Sequence, residues 1–126
     1  MDDALTNTPQ LWHTALPFPQ ANDHKYRRGH ALIIGGPKTM TGAARLAALA
    51  ALRIGAGLVT IACDDTSLPV YATALTSVMT VVCNDTNALD AYIAERNVRA
   101  ILVGPGMGAS QQTQSLVKHV LSYPLP

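Results

Sequence analysis

From its amino end the chain is irregular for 27 residues and then settles into alternating apolar runs and helical stretches. Residues 1–27 are polar, carry Pro9, Pro17 and Pro19, and sustain neither a period of two nor one of 3.6, which predicts a lead-in arm. Residues 31–34 form a short apolar run closed by Gly35-Gly36-Pro37, the pattern of a strand buried on both faces. From residue 41 to 54 the alanines and leucines favour a helix, with Thr41 placed to cap it and Gly55 and Gly57 to stop it. A second strand is predicted over 58–63. A helix over 68–75, a strand over 78–83 and a helix over 87–97 follow, the last entered through the turn and cap residues Asn84-Asp85-Thr86. A fourth strand over 100–103 and a helix over about 111–121 complete the series. Strand and helix alternate, so the expected fold class is α/β, a parallel sheet covered by helices on both faces. Four strands leave one flank of an open sheet uncovered, and Tyr123-Pro124-Leu125-Pro126 falls where another strand is due. The sequence therefore reads as an apparently truncated sheet.

Composition narrows the picture without changing it. The 126 residues are 48% hydrophobic and 13% charged, enough apolar matter for one packed unit. Nine Lys and Arg against eight Asp and Glu give a formal charge of +1, and no stretch interleaves basic and aromatic residues, so nucleic acid is an unexpected partner. The start is acidic where an export signal is basic. The most apolar stretch, 43–62, is broken by Arg45 and Arg53, so no membrane span is expected and the setting reads as cytoplasmic. Cys63 and Cys83 each end an apolar run outside any CxxC pair, which suits buried, reduced thiols.

Candidate chemistry gathers at two glycine clusters, each beyond the carboxyl end of a predicted strand, where ligands of open parallel sheets bind. Gly35-Gly36 and Gly104-Pro105-Gly106-Met107-Gly108 would let the backbone approach a ligand closely, and a helix start offers free N–H groups to an anion. A P-loop is excluded, because Gly36 and Gly42 are one residue too far apart and Ala43 stands in place of the lysine. Gly104, Gly106 and Ala109 fit a relaxed GxGxxG/A spacing, although Pro105 stiffens that turn. Plain strand-to-helix turns remain the alternative for both clusters. His13, His24, His30 and His119 are scattered without ligand spacing, so no metal site is expected. Asp64-Asp65 could meet a ribose or magnesium, yet suits a solvated turn better. Arg45 and Arg53 could meet phosphate or water, and no serine or threonine has a base placed beside it.

Taken together, His24-Lys25, Gly29, Gly35-Gly36, Thr41-Gly42-Ala43, Gly55-Ala56-Gly57-Leu58-Val59 and Gly104-Pro105-Gly106-Met107-Gly108 resemble, in order, the motifs of the NAD(P)H-hydrate dehydratase family. The resemblance covers about residues 24–121. Tyr26 and Pro37 depart from frequent glycine and serine positions of that family. It implies a ribokinase-like fold, with residues 1–23 as an N-terminal arm and 24–126 as the N-terminal portion of a dehydratase domain. The implied activity is cofactor repair, in which hydrated NADH or NADPH is dehydrated at the expense of ADP or ATP, with Mg2+. By the same resemblance Ala43 and Gly106 would contact the hydrated cofactor, supported by Gly35, Gly36, Thr41, Gly42, Gly104 and Gly108. The family's nucleotide loop and catalytic aspartate would lie beyond Pro126, so no catalytic residue is expected in this chain and the chain alone is expected to be inactive. A homo-oligomer is implied for the full enzyme. Two other readings stay open: a ribokinase-like kinase of a hydroxymethyl vitamin precursor, and a non-catalytic dinucleotide-binding module.

Overall fold

The computed structural model describes residues 4–16, 18–104 and 106–125. Pro17 of the arm, Pro105 of the second glycine loop and Pro126 lie outside the described residues. Four strands, β1 (His30–Ile34), β2 (Leu58–Cys63), β3 (Met79–Val82) and β4 (Val98–Leu102), form one sheet in the order β3-β2-β1-β4. Every pairing is parallel, and β1 runs in register with β2 from His30 opposite Leu58 to Ile34 opposite Ala62.

Among the described residues five α-helices precede, connect or follow the strands: α1 (Pro9–Trp12), α2 (Gly42–Ile54), α3 (Leu68–Ala74), α4 (Thr86–Arg96) and α5 (Gln111–Val120). Successive strand residues point to opposite faces, so the sheet carries two cores. Ile33, Val59 and Ile61 pack with Ala44 and Ala48 of α2 and Tyr71 of α3. Leu32, Ile34 and Ala62 pack with Leu89 of α4 and Val120 of α5 on the other side. The expected two-sided cover is therefore present, and the methyl side chains of Ala44 and Ala48 leave room for α2 to lie close to the sheet.

Three local expectations are corrected. Residues 9–15 of the arm are not irregular but form α1 and a 3-10 turn, His13–Ala15, with Pro9 in the first helical turn, where its missing N–H costs nothing. Thr41 stands at the N-cap of α2 but its side chain makes no cap bond, because its backbone is already helical (φ −82°, ψ −15°) and the residue is buried. The fourth strand begins at Val98 rather than residue 100. Asn97, in the left-handed conformation at φ 49°, ends α4 and turns straight into β4, and the pairing skips Arg99 between His30–Val98 and Ala31–Ala100. That bulge puts a charged residue inside the strand, so the apolar run shows only its later residues. Elsewhere the caps follow expectation: Asp85 accepts from the Ala88 N–H at 2.8 Å, and Gly55 closes α2 at φ 117°.

Candidate functional site

The chain builds β1, β2 and β3 outward in one direction and then returns to lay β4 on the other side of β1. This reversal opens a crevice between the carboxyl ends of β1 and β4, the place where open parallel sheets receive ligands. Both glycine clusters fall there and touch. A Cβ on Gly36 would stand 2.5 Å from the Gly106 carbonyl oxygen and 3.0 Å from that of Met40, while one on Gly106 would stand 2.8 Å from the same Met40 oxygen. Three stretches of backbone thus meet with no side chain between them.

The contacts sort the glycines by cause. At Gly35 the space a Cβ would take is filled by the Tyr71 hydroxyl, 2.8 Å away, and that hydroxyl donates to the Gly36 carbonyl at 3.0 Å. Tyr71 is fully buried, and burial pushes its pKa above the ordinary phenol value. Gly106 holds φ 92° and Gly108 φ 73°, conformations that disfavour a side chain, and Gly104 also has a positive φ. Gly42 differs from all of these. Nothing lies within 4 Å of its missing Cβ, and it has no positive φ. It opens the first turn of α2 beside half-buried Ala43, where the Thr41 side chain makes no cap bond to the helix N–H groups.

Next to this junction a cavity of about 570 Å³ lies over the ends of β1, β2 and β3, between α4 and α5. Gly35 and Met107 line it beside Asp64, Asp85, Ser115 and His119; Gly36, Thr41, Gly42, Ala43 and Gly106 do not. Its carboxylates already have partners. Asp64 accepts from the Thr66 hydroxyl at 2.6 Å and the Ser67 N–H at 2.7 Å, bonds that hold its pKa below the usual carboxylate range, the Thr66 bond most of all. This is the solvated-turn reading of Asp64-Asp65, with Asp65 exposed. Among the described residues no three His, Cys, Asp or Glu side chains gather. Arg53 lies at the far end of α2 beside a second cavity of about 700 Å³ lined by the arm residues Leu16 and Phe18.

Two features carry no sequence signal. Tyr71 is a lone aromatic in a short helix, and only the fold brings it under the glycine pair. His119, on α5, and Tyr123 both contact Asp90 of α4, His119 at 2.7 Å, which ties the two helices together and lowers the Asp90 pKa, through Tyr123 first and His119 second. His30 is likewise held within the fold, its Nε2 2.8 Å from the Thr60 hydroxyl. Cys63 is buried, as expected, and desolvation aided by Asp64 pushes its thiol up to about 11; Cys83 is only half-buried.

A parallel α/β sheet whose glycine loops meet at the strand-order reversal, beside the start of α2, is the architecture of the open-sheet α/β class. The family model described as NAD(P)H-hydrate dehydratase matches residues 31–126, and the chain belongs to that family. It is 38% identical over 112 residues to the bifunctional NAD(P)H-hydrate repair enzyme Nnr of Coxiella burnetii, covering 88% of this chain and 22% of that protein. It is 35% identical over 119 residues to the ADP-dependent (S)-NAD(P)H-hydrate dehydratase of Bacillus subtilis, covering 94% and 43%. Its fold matches a structure of the ADP/ATP-dependent NAD(P)H-hydrate dehydratase of Bacillus subtilis co-crystallized with ATP/Mg2+, at a TM-score of 0.71 and 32% identity, covering 88% of this chain and 40% of that one. A ribokinase-like superfamily protein of Enterococcus faecalis matches at 0.71 and 26% identity. The fold is therefore ribokinase-like, and the chain spans less than half the length of these relatives. Among the described residues no helix is long and apolar enough to cross a membrane.

Proposed function

We propose that this chain carries the hydrated-cofactor side of a site that dehydrates hydrated NADH or NADPH at the expense of ADP or ATP. Residues 24–126 then form the N-terminal portion of a dehydratase domain in a cytoplasmic protein, and residues 1–23 an arm. The nicotinamide end of the substrate lies against Gly42 and Ala43 on one side and Gly106 on the other, with Gly35, Gly36, Thr41, Gly104 and Gly108 shaping the loops. The free N–H groups at the start of α2, at the positive end of its dipole, face the substrate's anionic or carbonyl oxygens. The residues here orient the substrate and keep bulk away from it; none supplies a base. ADP or ATP, with Mg2+ on its phosphates, is placed on other parts of the domain.

The observation that supports this reading best is Gly42, a glycine that neither crowding nor backbone conformation requires. Clearance for a ligand supplies a reason for it. The test follows the return of reduced-nicotinamide absorbance from NADPH hydrate with ADP or ATP, on this chain and on a version extended to the natural stop codon. Turnover by the extended version alone is expected. No turnover by either overturns the functional reading, and turnover by the 126-residue chain overturns the division of the site.

A further inference from the structure

Tyr71 is enclosed entirely by this chain, with 0% of it exposed, so further sequence could cover it no more than it is covered already. Directly above its hydroxyl the chain leaves the sheet. Gly35 is the last residue tied to β2, its N–H donating to the Ala62 carbonyl at 2.7 Å. The peptide unit that follows buried Gly36 runs into Pro37 and has no N–H, which leaves the Gly36 carbonyl as the one polar group by which that unit can be held. The Tyr71 hydroxyl holds it, donating from α3 at 3.0 Å, and among the described residues no other group bonds to that oxygen. Gly35 admits the hydroxyl, since a Cβ there would stand 2.8 Å from it and 2.9 Å from the ring carbon that bears it.

What Tyr71 fixes does not end at Gly36. The missing Cβ of Gly36 faces the Gly106 and Met40 carbonyl oxygens, and each of those residues belongs to a closed turn: the Met40 N–H donates to Pro37 at 2.7 Å, and the Met107 N–H to Gly104 at 3.1 Å. Backbone rests on backbone throughout, so a shift of Gly36 has no side chain to absorb it and passes into both loops. We propose that Tyr71 is a positioning residue for the dehydration, whose hydrogen bond to Gly36 sets where the Met40 and Gly106 stretches lie and so the seat of the substrate's nicotinamide end. This rests on the function proposed above. Tyr71 itself lines neither cavity at the crevice nor that of the arm, and it acts only through Gly36.

The test uses the chain extended to its natural stop codon, as wild type, Tyr71→Phe and Val78→Ala. Val78 belongs to the same core as Tyr71 and is 7% exposed, so its truncation weakens that core without touching the Gly36 bond. Small misplacements of a substrate are costly, and in Tyr71→Phe kcat/KM for NADPH hydrate is expected to fall about 10- to 100-fold. The KM for the hydrate should rise while that for ADP or ATP stays within about twofold. A loss of folded protein alone would lower kcat and leave both KM values unchanged, as expected of Val78→Ala; the same pattern in Tyr71→Phe overturns the proposal. Amide hydrogen exchange on the same three proteins needs no substrate. At Met40 and Met107 it should be at least about tenfold faster in Tyr71→Phe than in Val78→Ala, and equal rates overturn the proposal whatever the kinetics. Absence of turnover in the wild type overturns the functional reading instead, and exchange then decides alone whether Tyr71 holds the two loops.

Discussion

Replacing Gly42 by alanine separates the two reasons a glycine can stand at a helix start. The fold sets no obstacle: nothing lies within 4 Å of the new methyl group, and the backbone there is not in the left-handed region. Alanine narrows the unfolded ensemble and favours the helix, so folding should gain about 0.5–1 kcal/mol. At about 2.1 cal/mol/K per residue, the unfolding entropy of 126 residues is about 0.26 kcal/mol/K. The gain therefore raises the melting temperature by about 2–4 °C. If the hydrated cofactor rests against this position, the same methyl group overpacks the contact and costs about 1–3 kcal/mol of binding. That is about 5- to 150-fold in affinity. Differential scanning calorimetry and titration of NADPH hydrate on the same preparation read both numbers. A higher melting temperature with unchanged affinity refutes the clearance reasoning, and a lower melting temperature refutes the premise that the position is free.

Gly36→Ala should do the opposite, since its methyl group meets two backbone oxygens that cannot rotate away; a loss of about 1–3 kcal/mol, or about 4–11 °C, is expected in the same melt. Tyr71→Phe keeps the packing but leaves the buried Gly36 carbonyl without its donor, and a chemical-denaturation midpoint should report about 1–3 kcal/mol lost; an unchanged midpoint would mean that water replaces the hydroxyl. The carboxyl pKa of Asp90 is lower in the folded chain, so its tie to α5 stabilises fully above the ordinary carboxylate range and fades as pH falls through the lowered value. Asp90→Asn should therefore be less stable than wild type at neutral pH, and the difference should vanish in acid; a deficit independent of pH would sink the assignment. With its thiol pushed up to about 11 and its side chain buried, Cys63 should resist a thiol reagent at neutral pH until the chain unfolds, and fast native labelling at that position would contradict the structure.

Periodicity alone located the strands and the long helices because their burial is regular: the apolar run of β2 coincides with Leu58–Cys63, and α2 ends where Gly55 does. It misplaced the start of β4, where Arg99 bulges out of an edge strand, and missed the helix of the arm, where a single turn has no room to show a period. The two glycine clusters were legible as loops beyond strand ends, but not their mutual contact, which follows from strand order rather than from either segment. The Asp90, His119 and Tyr123 contact was invisible for the same reason, as α4 and α5 meet only after the sheet is assembled.

The Gly29 carbonyl accepts from the N–H groups of both Gly57 and Leu58, at 3.0 and 3.1 Å, and a Cβ on Gly57 would collide with the Lys25 carbonyl. The His24-Lys25, Gly29 and Gly55–Val59 motifs are thus one latch at the amino ends of β1 and β2, remote from the crevice. A slip of one residue between these strands would send Ile33 and Ile61 to the wrong core, and the latch forbids it. Half of the motifs by which the family is recognised therefore hold the register of two neighbouring strands, through a closure of fewer than thirty residues between Gly29 and Leu58.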